Sequence, residues 1–349
     1  MNTKIIKIEE NKINEDEIKE IAKAFSEGKL VVFPTETVYG LGANGFDEEA
    51  CKNIFKAKGR PGDNPLILHI AEIDQVNELV SEIPDVAKDC MEMFWPGPLT
   101  MIMKRSEKIS DVVTAGLDTV AIRMPSHEVA REILKECRLP IAAPSANISG
   151  RPSPTAFKHV EEDLKGKVDI IVDGGVTNVG IESTVIDMTS NPPMILRPGG
   201  VTYEELKVLI PDVTIDNTTI DAQDNATPKS PGQKYRHYAP KADAYCFAGN
   251  LEGVVKEVNK RIKENKDKKI AVLATTETKE DYEGAYLLID LGSRENMEVI
   301  AHNLFEALRQ CDEEDVDLIY AEGFDFRGIG AGIMNRLLKA CGGKVVFGL

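Results

Sequence analysis

Several features that would place a protein at once are missing from this 349-residue chain. It has no run of 18 apolar residues, so no membrane-spanning helix is expected. Its six cysteines (Cys51, Cys90, Cys137, Cys246, Cys311, Cys341) are scattered and form no CxxC pair. That spacing argues against a disulfide framework or a zinc site and leaves buried thiols as the reading. The five histidines (His69, His127, His159, His237, His302) show no metal-ligand spacing, and nothing resembles a catalytic triad. The phosphate-loop pattern G-x-x-x-x-G-K-[ST] is absent. Positive charge is in deficit: 42 Lys and Arg stand against 58 Asp and Glu, for a net charge of −16. Both halves of the chain are acidic, so a general grip on nucleic acid is disfavoured. Any anionic substrate must then be held by a few local cations. The first twenty residues are charged throughout, with no apolar signal core, and the cytoplasm is the expected location.

What is present is a globular composition, with 42% apolar and 29% charged residues, at a length that suits two domains. Residues 1–213 alternate strand-like and helix-like segments. Leu30–Phe33, Leu66–Ile70, Leu99–Met103, Val120–Met124, Ile141–Ala143, Val168–Val172, Ser183–Met188 and Met194–Arg197 read as strands. Asp47 is a plausible cap for a helix reaching Lys58, and Thr202–Glu205 forms a capping box for another. Residues 214–241 are polar and linker-like, yet Lys234, Tyr235, Arg236, His237 and Tyr238 follow in succession. The segment is a tether or a ligand-contacting lid. From residue 242 a second unit alternates strands (Lys269–Ala274, Ala285–Leu291, Asp317–Ala321, Lys344–Phe347) with helices (Met297–Gln310, Gly328–Cys341), which predicts a small parallel sheet.

Two polar loops stand out. Lys58-Gly59-Arg60 offers two cations beside a stiff stretch, Pro61 to Pro65. Ser145-Ala146-Asn147 offers small hydrogen-bonding groups on backbone that a ligand can approach. Together they suit a nucleotide polyphosphate; the bland alternative for the cations is a solvated helix end. Arg123 lies inside an apolar strand and needs a partner, either a substrate carboxylate or a structural acid. Arg197 poses the same question. Pro34–Thr37 and Glu182–Thr184 are hydroxyl-rich and could hold a small amino acid or simply make turns. Gly40-Leu41-Gly42-Ala43-Asn44-Gly45 matches the dinucleotide fingerprint, but Pro34–Tyr39 intervenes between strand and glycines, so a glycine-rich turn is favoured. The glycines of Gly328–Gly332 are read as tight helix packing. The chemistry expected is positioning and charge neutralisation without a protein nucleophile.

The blocks FPTETVYGLGA, KGRPGDNPLILHI, WPGPLT, GLDTVAIRMP, APSANISGRPSPT, GIESTVID and LRPGG, in this order from about residue 29 to residue 200, resemble the Sua5/YrdC family of threonylcarbamoyl-AMP synthases. PGQKYRHYAP and the trailing α/β unit resemble the long, two-domain form. The resemblance implies a YrdC-like twisted mixed-sheet catalytic domain, followed by a smaller Rossmann-like parallel α/β domain. It implies formation of threonylcarbamoyl-AMP and pyrophosphate from L-threonine, bicarbonate and ATP, with Mg²⁺ travelling on ATP and no identified protein ligand for it. The product would pass to a transferase that modifies adenosine 37 of certain tRNAs, with no stable tRNA binding by this chain. By the same resemblance, Lys58, Arg60, Asn64, Thr119, Ser145, Asn147, Ser153 and Arg197 serve ATP, Lys58 and Arg60 being the catalytic cations. Thr37, His69, Arg123 and Ser183 serve threonine, and Tyr235 closes over the site. The competing readings are a nicotinamide-dependent oxidoreductase and a double-stranded-RNA-binding module; the charge of −16 opposes the second.

Overall fold

A computed structural model describes residues 2–216 and 237–348. Eleven strands form the first sheet. They are β1 (Lys4–Lys7), β2 (Val31–Phe33), β3 (Gly40–Asn44), β4 (Ile67–His69), β5 (Leu99–Lys104), β6 (Thr119–Arg123), β7 (Ile141–Ala142), β8 (Ile170–Asp173), β9 (Thr184–Asp187), β10 (Met194–Arg197) and β11 (Thr214–Ile215). Their order is β1-β8-β2-β3-β7-β4-β6-β5-β9-β10-β11. The sheet is mixed: β4 runs parallel to β6 and β5 parallel to β9, whereas β5–β6, β3–β7 and β9–β10 are antiparallel. It extends two residues past the expected boundary at 213.

Register explains why the polar residues converge. His69 pairs with Arg123 across β4–β6, and Arg123 pairs with Thr100 across β5–β6. Directly paired residues project from the same face of a sheet. Thr100 in turn pairs with Val185, and Ser183 precedes Val185 by two residues, again on that face. One row across four strands therefore carries His69, Arg123, Thr100 and Ser183. Below it, Ile67, Ala121, Ile102, Val185 and Leu196 form a small buried apolar cluster that holds the strands in this register.

The glycine fingerprint is a strand. Gly40–Asn44 is β3, antiparallel to β2 through Val31–Gly42 and Phe33–Gly40. A dinucleotide site would need a strand-to-helix turn there. The expected glycine-rich turn is also overturned. Gly42 faces packed side chains instead: a Cβ there would lie 2.8 Å from both Ile141 Cγ2 and Phe33 Cε1.

The second sheet contains β12 (Asp243–Gly249), β13 (Ile270–Ala274), β14 (Leu287–Asp290), β15 (Leu318–Glu322) and β16 (Val345–Gly348). Its order is β14-β13-β15-β12-β16, and every pairing is parallel. The helices Met297–Glu313 and Ile329–Ala340 pack between this sheet and the first domain. Their apolar faces share one cluster with Val38 and Ile181 of the first domain and with Tyr238. Close approach is built in at Gly332, where a Cβ would stand 2.8 Å from Ile181 Cδ1 and 3.3 Å from Gly199 Cα. This is the tight packing expected of the Gly328–Gly332 run.

Candidate functional site

One pocket, enclosing about 650 Å³ including its mouth, opens over the polar row. Its walls bring together nine of the expected site residues: Thr37, Arg60, His69, Arg123, Ser145, Asn147, Ser153, Ser183 and Arg197.

The row from β4 to β10 makes the floor. Arg123, 4% exposed, donates from Nη1 to Thr37 Oγ1 at 2.9 Å, and its Nη2 lies 2.7 Å from Glu36 Oε1. The sequence left a structural acid open, and Glu36 is one. The ion pair nonetheless leaves Arg123 Nε and Nη2, and both Glu36 carboxylate oxygens, without a well-directed hydrogen bond. Thr35 Oγ1 contacts Thr37 Oγ1 at 3.0 Å and donates to Val38 O at 2.6 Å, so the hydroxyl-rich turn is rigid. His69 Nδ1 sits 3.1 Å from Ile67 O. A carbonyl can only accept, so this contact is a hydrogen bond when Nδ1 carries the proton of the neutral ring. Burial, and then the nearby Arg123 charge, push the His69 pKa down to about 3, so the ring is neutral. Thr100 and Ser183 share a hydroxyl contact of 2.8 Å. Arg197 donates to Ser183 through Nε to the carbonyl and through Nη2 to Oγ, both at 3.1 Å. Burial is the main cause lowering its pKa.

The Ser145–Asn147 loop forms a second wall. It is stitched to β3 by Ala146 N to Tyr39 O at 2.8 Å and Leu41 N to Pro144 O at 2.9 Å. Ser145 Oγ donates to Asn147 Oδ1 at 2.5 Å, and Asn147 Nδ2 donates to the carbonyls of Ile148 and Arg151. Lys58 supports this wall from behind. The helix Glu48–Lys58, capped by Asp47, ends on Gly59 in the left-handed region (φ 60°), which turns the chain back toward the pocket. Lys58 is 2% exposed, and its ammonium donates to the carbonyls of Ser145 and Asn147. A solvated helix end is thereby overturned: burial, and secondarily Arg60, hold the Lys58 pKa well below the usual amine value. Lys58 does not line the pocket. Arg60 does, fixed by Nη2 to Asn64 O at 3.1 Å and stacked 5.7 Å from the Phe55 ring centre. Burial brings its pKa down to about 10, which still leaves it protonated at neutral pH.

Three expected residues are placed otherwise. Asn64 is 1% exposed and does not line the pocket, and neither polar atom of its side chain finds a partner. Thr119 is at the opposite end of β6 from Arg123, about 13 Å along the strand. Tyr235 lies outside the described residues. From the same stretch it is His237 and Tyr238 that line the pocket, with Tyr238 packed 5.1 Å from the Phe305 ring centre. Burial first, and then the Glu182 charge, push the Tyr238 hydroxyl up to about 12.

Glu182, the first residue of the hydroxyl-rich segment Glu182–Thr184, is a buried acid in the pocket wall. It accepts from Ser153 Oγ at 2.5 Å and from Arg336 Nε, in the second domain, at 2.9 Å. Burial would raise its pKa, but Arg336, Arg197 and the Ser153 hydrogen bond together hold it at about 2. Its signal in the sequence was a glutamate directly before Ser183; its partner, far along the chain, gave none. No group of three or more His, Cys, Asp or Glu among the described residues could hold a metal ion.

Comparison with known proteins places this geometry. The family model Sua5_yciO_yrdC, described as "Telomere recombination", matches residues 23–199, and the threonylcarbamoyl-AMP synthase C-terminal domain model matches residues 201–342. The chain is 48% identical to the threonylcarbamoyl-AMP synthase of Pyrococcus abyssi over 99% of both proteins, and 47% identical to that of Bacillus subtilis over 95% of both. The crystal structure of P. abyssi Sua5 complexed with L-threonine matches with a TM-score of 0.94, at 48% identity and 99% coverage of each chain. Two domain matches in chain order, full-length relatives and a common fold together show that this chain belongs to the Sua5/YrdC family of threonylcarbamoyl-AMP synthases.

Proposed function

We propose that the pocket binds L-threonine over the polar row and ATP along the Ser145–Asn147 wall, and joins them through bicarbonate. The observation that carries this reading is Arg123. A nearly buried guanidinium faces the cavity with two nitrogens lacking directed acceptors, beside a hydroxyl pair and a neutral histidine. Its planar fork suits the two oxygens of an amino-acid carboxylate. The crystal complex of the P. abyssi relative contains L-threonine.

Thr37 and Ser183 then offer hydroxyls to the polar side of threonine, and His69 offers a neutral acceptor. Arg60 is the cation that meets phosphate charge. Lys58 acts through the loop that it braces. Ser145, Asn147, Ser153 and Arg197 contact the nucleotide. Asn64, outside the pocket lining, serves the nucleotide indirectly, its backbone carbonyl accepting from Arg60 Nη2 at 3.1 Å. Thr119, at the far end of β6 and outside the pocket lining, is assigned no contact. Mg²⁺ enters as part of the ATP substrate, on phosphates and water.

In the reaction, the threonine nitrogen bonds to the carbon of bicarbonate and water is lost, giving a carbamate. A carbamate oxygen then bonds to the α-phosphorus of ATP. The α–β bridging bond breaks, and pyrophosphate leaves with its electron pair. The residues orient the reactants and offset phosphate charge, and exclusion of water protects the labile carbamate. The enzyme works in the cytoplasm and hands the adenylate to a tRNA-modifying transferase. Pyrophosphate release tests the reading: it requires threonine and bicarbonate together, and equal release without threonine overturns it.

A further inference from the structure

We infer that Arg336, on the helix Ile329–Ala340 of the second domain, is a positioning residue for the active site, clamping the two segments that carry Ser183 and Arg197. The inference rests on the reading of the pocket given above.

Arg336 is fully buried and reaches three acceptors across the domain boundary. Nε donates to Glu182 Oε2 at 2.9 Å, Nη2 donates to the Glu182 carbonyl at 3.1 Å, and Nη1 donates to the Pro198 carbonyl. Each acceptor adjoins a pocket residue: Glu182 precedes Ser183, and Pro198 follows Arg197. Arg197 itself bonds Ser183, and the second oxygen of Glu182 holds Ser153. One guanidinium thus fixes the spacing between Ser153, Ser183 and Arg197.

Docking alone does not account for this arrangement. The two domains already share an apolar cluster that includes Ile181, Phe305 and Ile333. A buried ion pair adds little net stability compared with apolar side chains of similar volume, because both charges must be desolvated. What the pair supplies is direction. A lysine would keep the charge but could not span a carboxylate and two carbonyls at once. Gly332, one turn earlier on the same helix, lets the backbone come close enough for the fork to reach.

The experiment compares wild type, Arg336→Lys and Arg336→Met as full-length chains. Threonine affinity is measured by calorimetry, and pyrophosphate release is measured at varied threonine. Thermal unfolding reports the folded fraction. Displacing reacting groups by about 1 Å costs on the order of 100-fold in rate, so a fall of that size in kcat/KM is expected for Arg336→Met. Arg336→Lys keeps the charge beside Glu182 but leaves a backbone carbonyl without its donor, so it is expected to stay folded with a lowered unfolding temperature and, because Ser183 and Arg197 are no longer held in place, to bind threonine about 10-fold more weakly. If Arg336 only docks the domains, the lysine variant recovers stability and threonine affinity together, and the folded fraction of the methionine variant shows an unchanged KM. Either result overturns the inference. Should Arg336→Met not fold, Arg336→Lys alone decides. Wild-type release that does not need threonine would refute the functional reading itself, independently of the variants.

Discussion

Replacing Arg123 by lysine keeps a positive charge beside Glu36 and removes the fork. The two variants Arg123→Lys and Arg123→Met therefore separate structure from recognition. In the methionine variant, Glu36, 5% exposed, loses its ion-pair partner at 2.7 Å. Leaving a buried charge without its partner costs about 3–5 kcal/mol of stability. In the lysine variant that charge stays compensated, so the protein is expected to unfold near the wild-type temperature. The lysine cannot at once keep the 2.9 Å bond to Thr37 and offer two parallel donors to a carboxylate. One charged hydrogen bond is worth about 1.5–3 kcal/mol, which is roughly 10- to 150-fold in the dissociation constant of threonine. Calorimetric titration of Arg123→Lys with threonine measures this directly, with ATP titrated separately as the control. Threonine affinity within about twofold of wild type would mean that the guanidinium serves Glu36 and Thr37 alone, at odds with about 1.5 kcal/mol for the smallest charged bond.

Lys58→Ala should lower both stability and turnover: the buried Asn147 carbonyl loses a donor, at roughly 1–3 kcal/mol, and the half-buried Ser145 carbonyl loses one too, and a drop in unfolding temperature alongside reduced pyrophosphate release checks it. Glu182 gives an acid limit to stability. Its folded pKa of about 2 lies below the ordinary 4.5, so its contribution of up to ~3 kcal/mol is complete above pH 4.5 and is lost as the pH falls toward 2. Acid unfolding of wild type and Glu182→Gln, followed by circular dichroism, should lose this difference over that range. His69, held at about 3, should show no protonation in NMR titration above pH 5, and a midpoint near 6.5 would contradict its burial against Arg123.

The sequence made strands and caps legible where local chemistry dictates them. Asp47 and Thr202 cap their helices through Ala50 N and Glu205 N, and Met194–Arg197 is a strand with the bounds read from its apolar pattern. The charged N-terminus hid an edge strand, Lys4–Lys7, and the helix Glu15–Ser26, whose buried Ile18, Ile21 and Phe25 are spaced among acids and lysines. Its apolar residues Ile18, Ile21, Ala22 and Phe25 fall at i, i+3, i+4 and i+7, a helical spacing that the dense charge of the segment masked. The pocket residues were recognisable because they sit in loops and strand ends with distinctive motifs. Glu36 and Arg336 escaped because their meaning depends on partners 87 and 154 residues away, which no local pattern reports. Lys58 was legible as a cation of the site but not as a buried one, because the loop that buries it comes from residues 145–147.

Incorporation of radiolabelled bicarbonate into an adenylate, in the presence of threonine and ATP, decides whether this pocket makes threonylcarbamoyl-AMP. One label is expected per adenylate formed, with none when threonine is omitted and a steep loss in Arg123→Lys. Label appearing without threonine, or pyrophosphate released with no label in the adenylate, would contradict it.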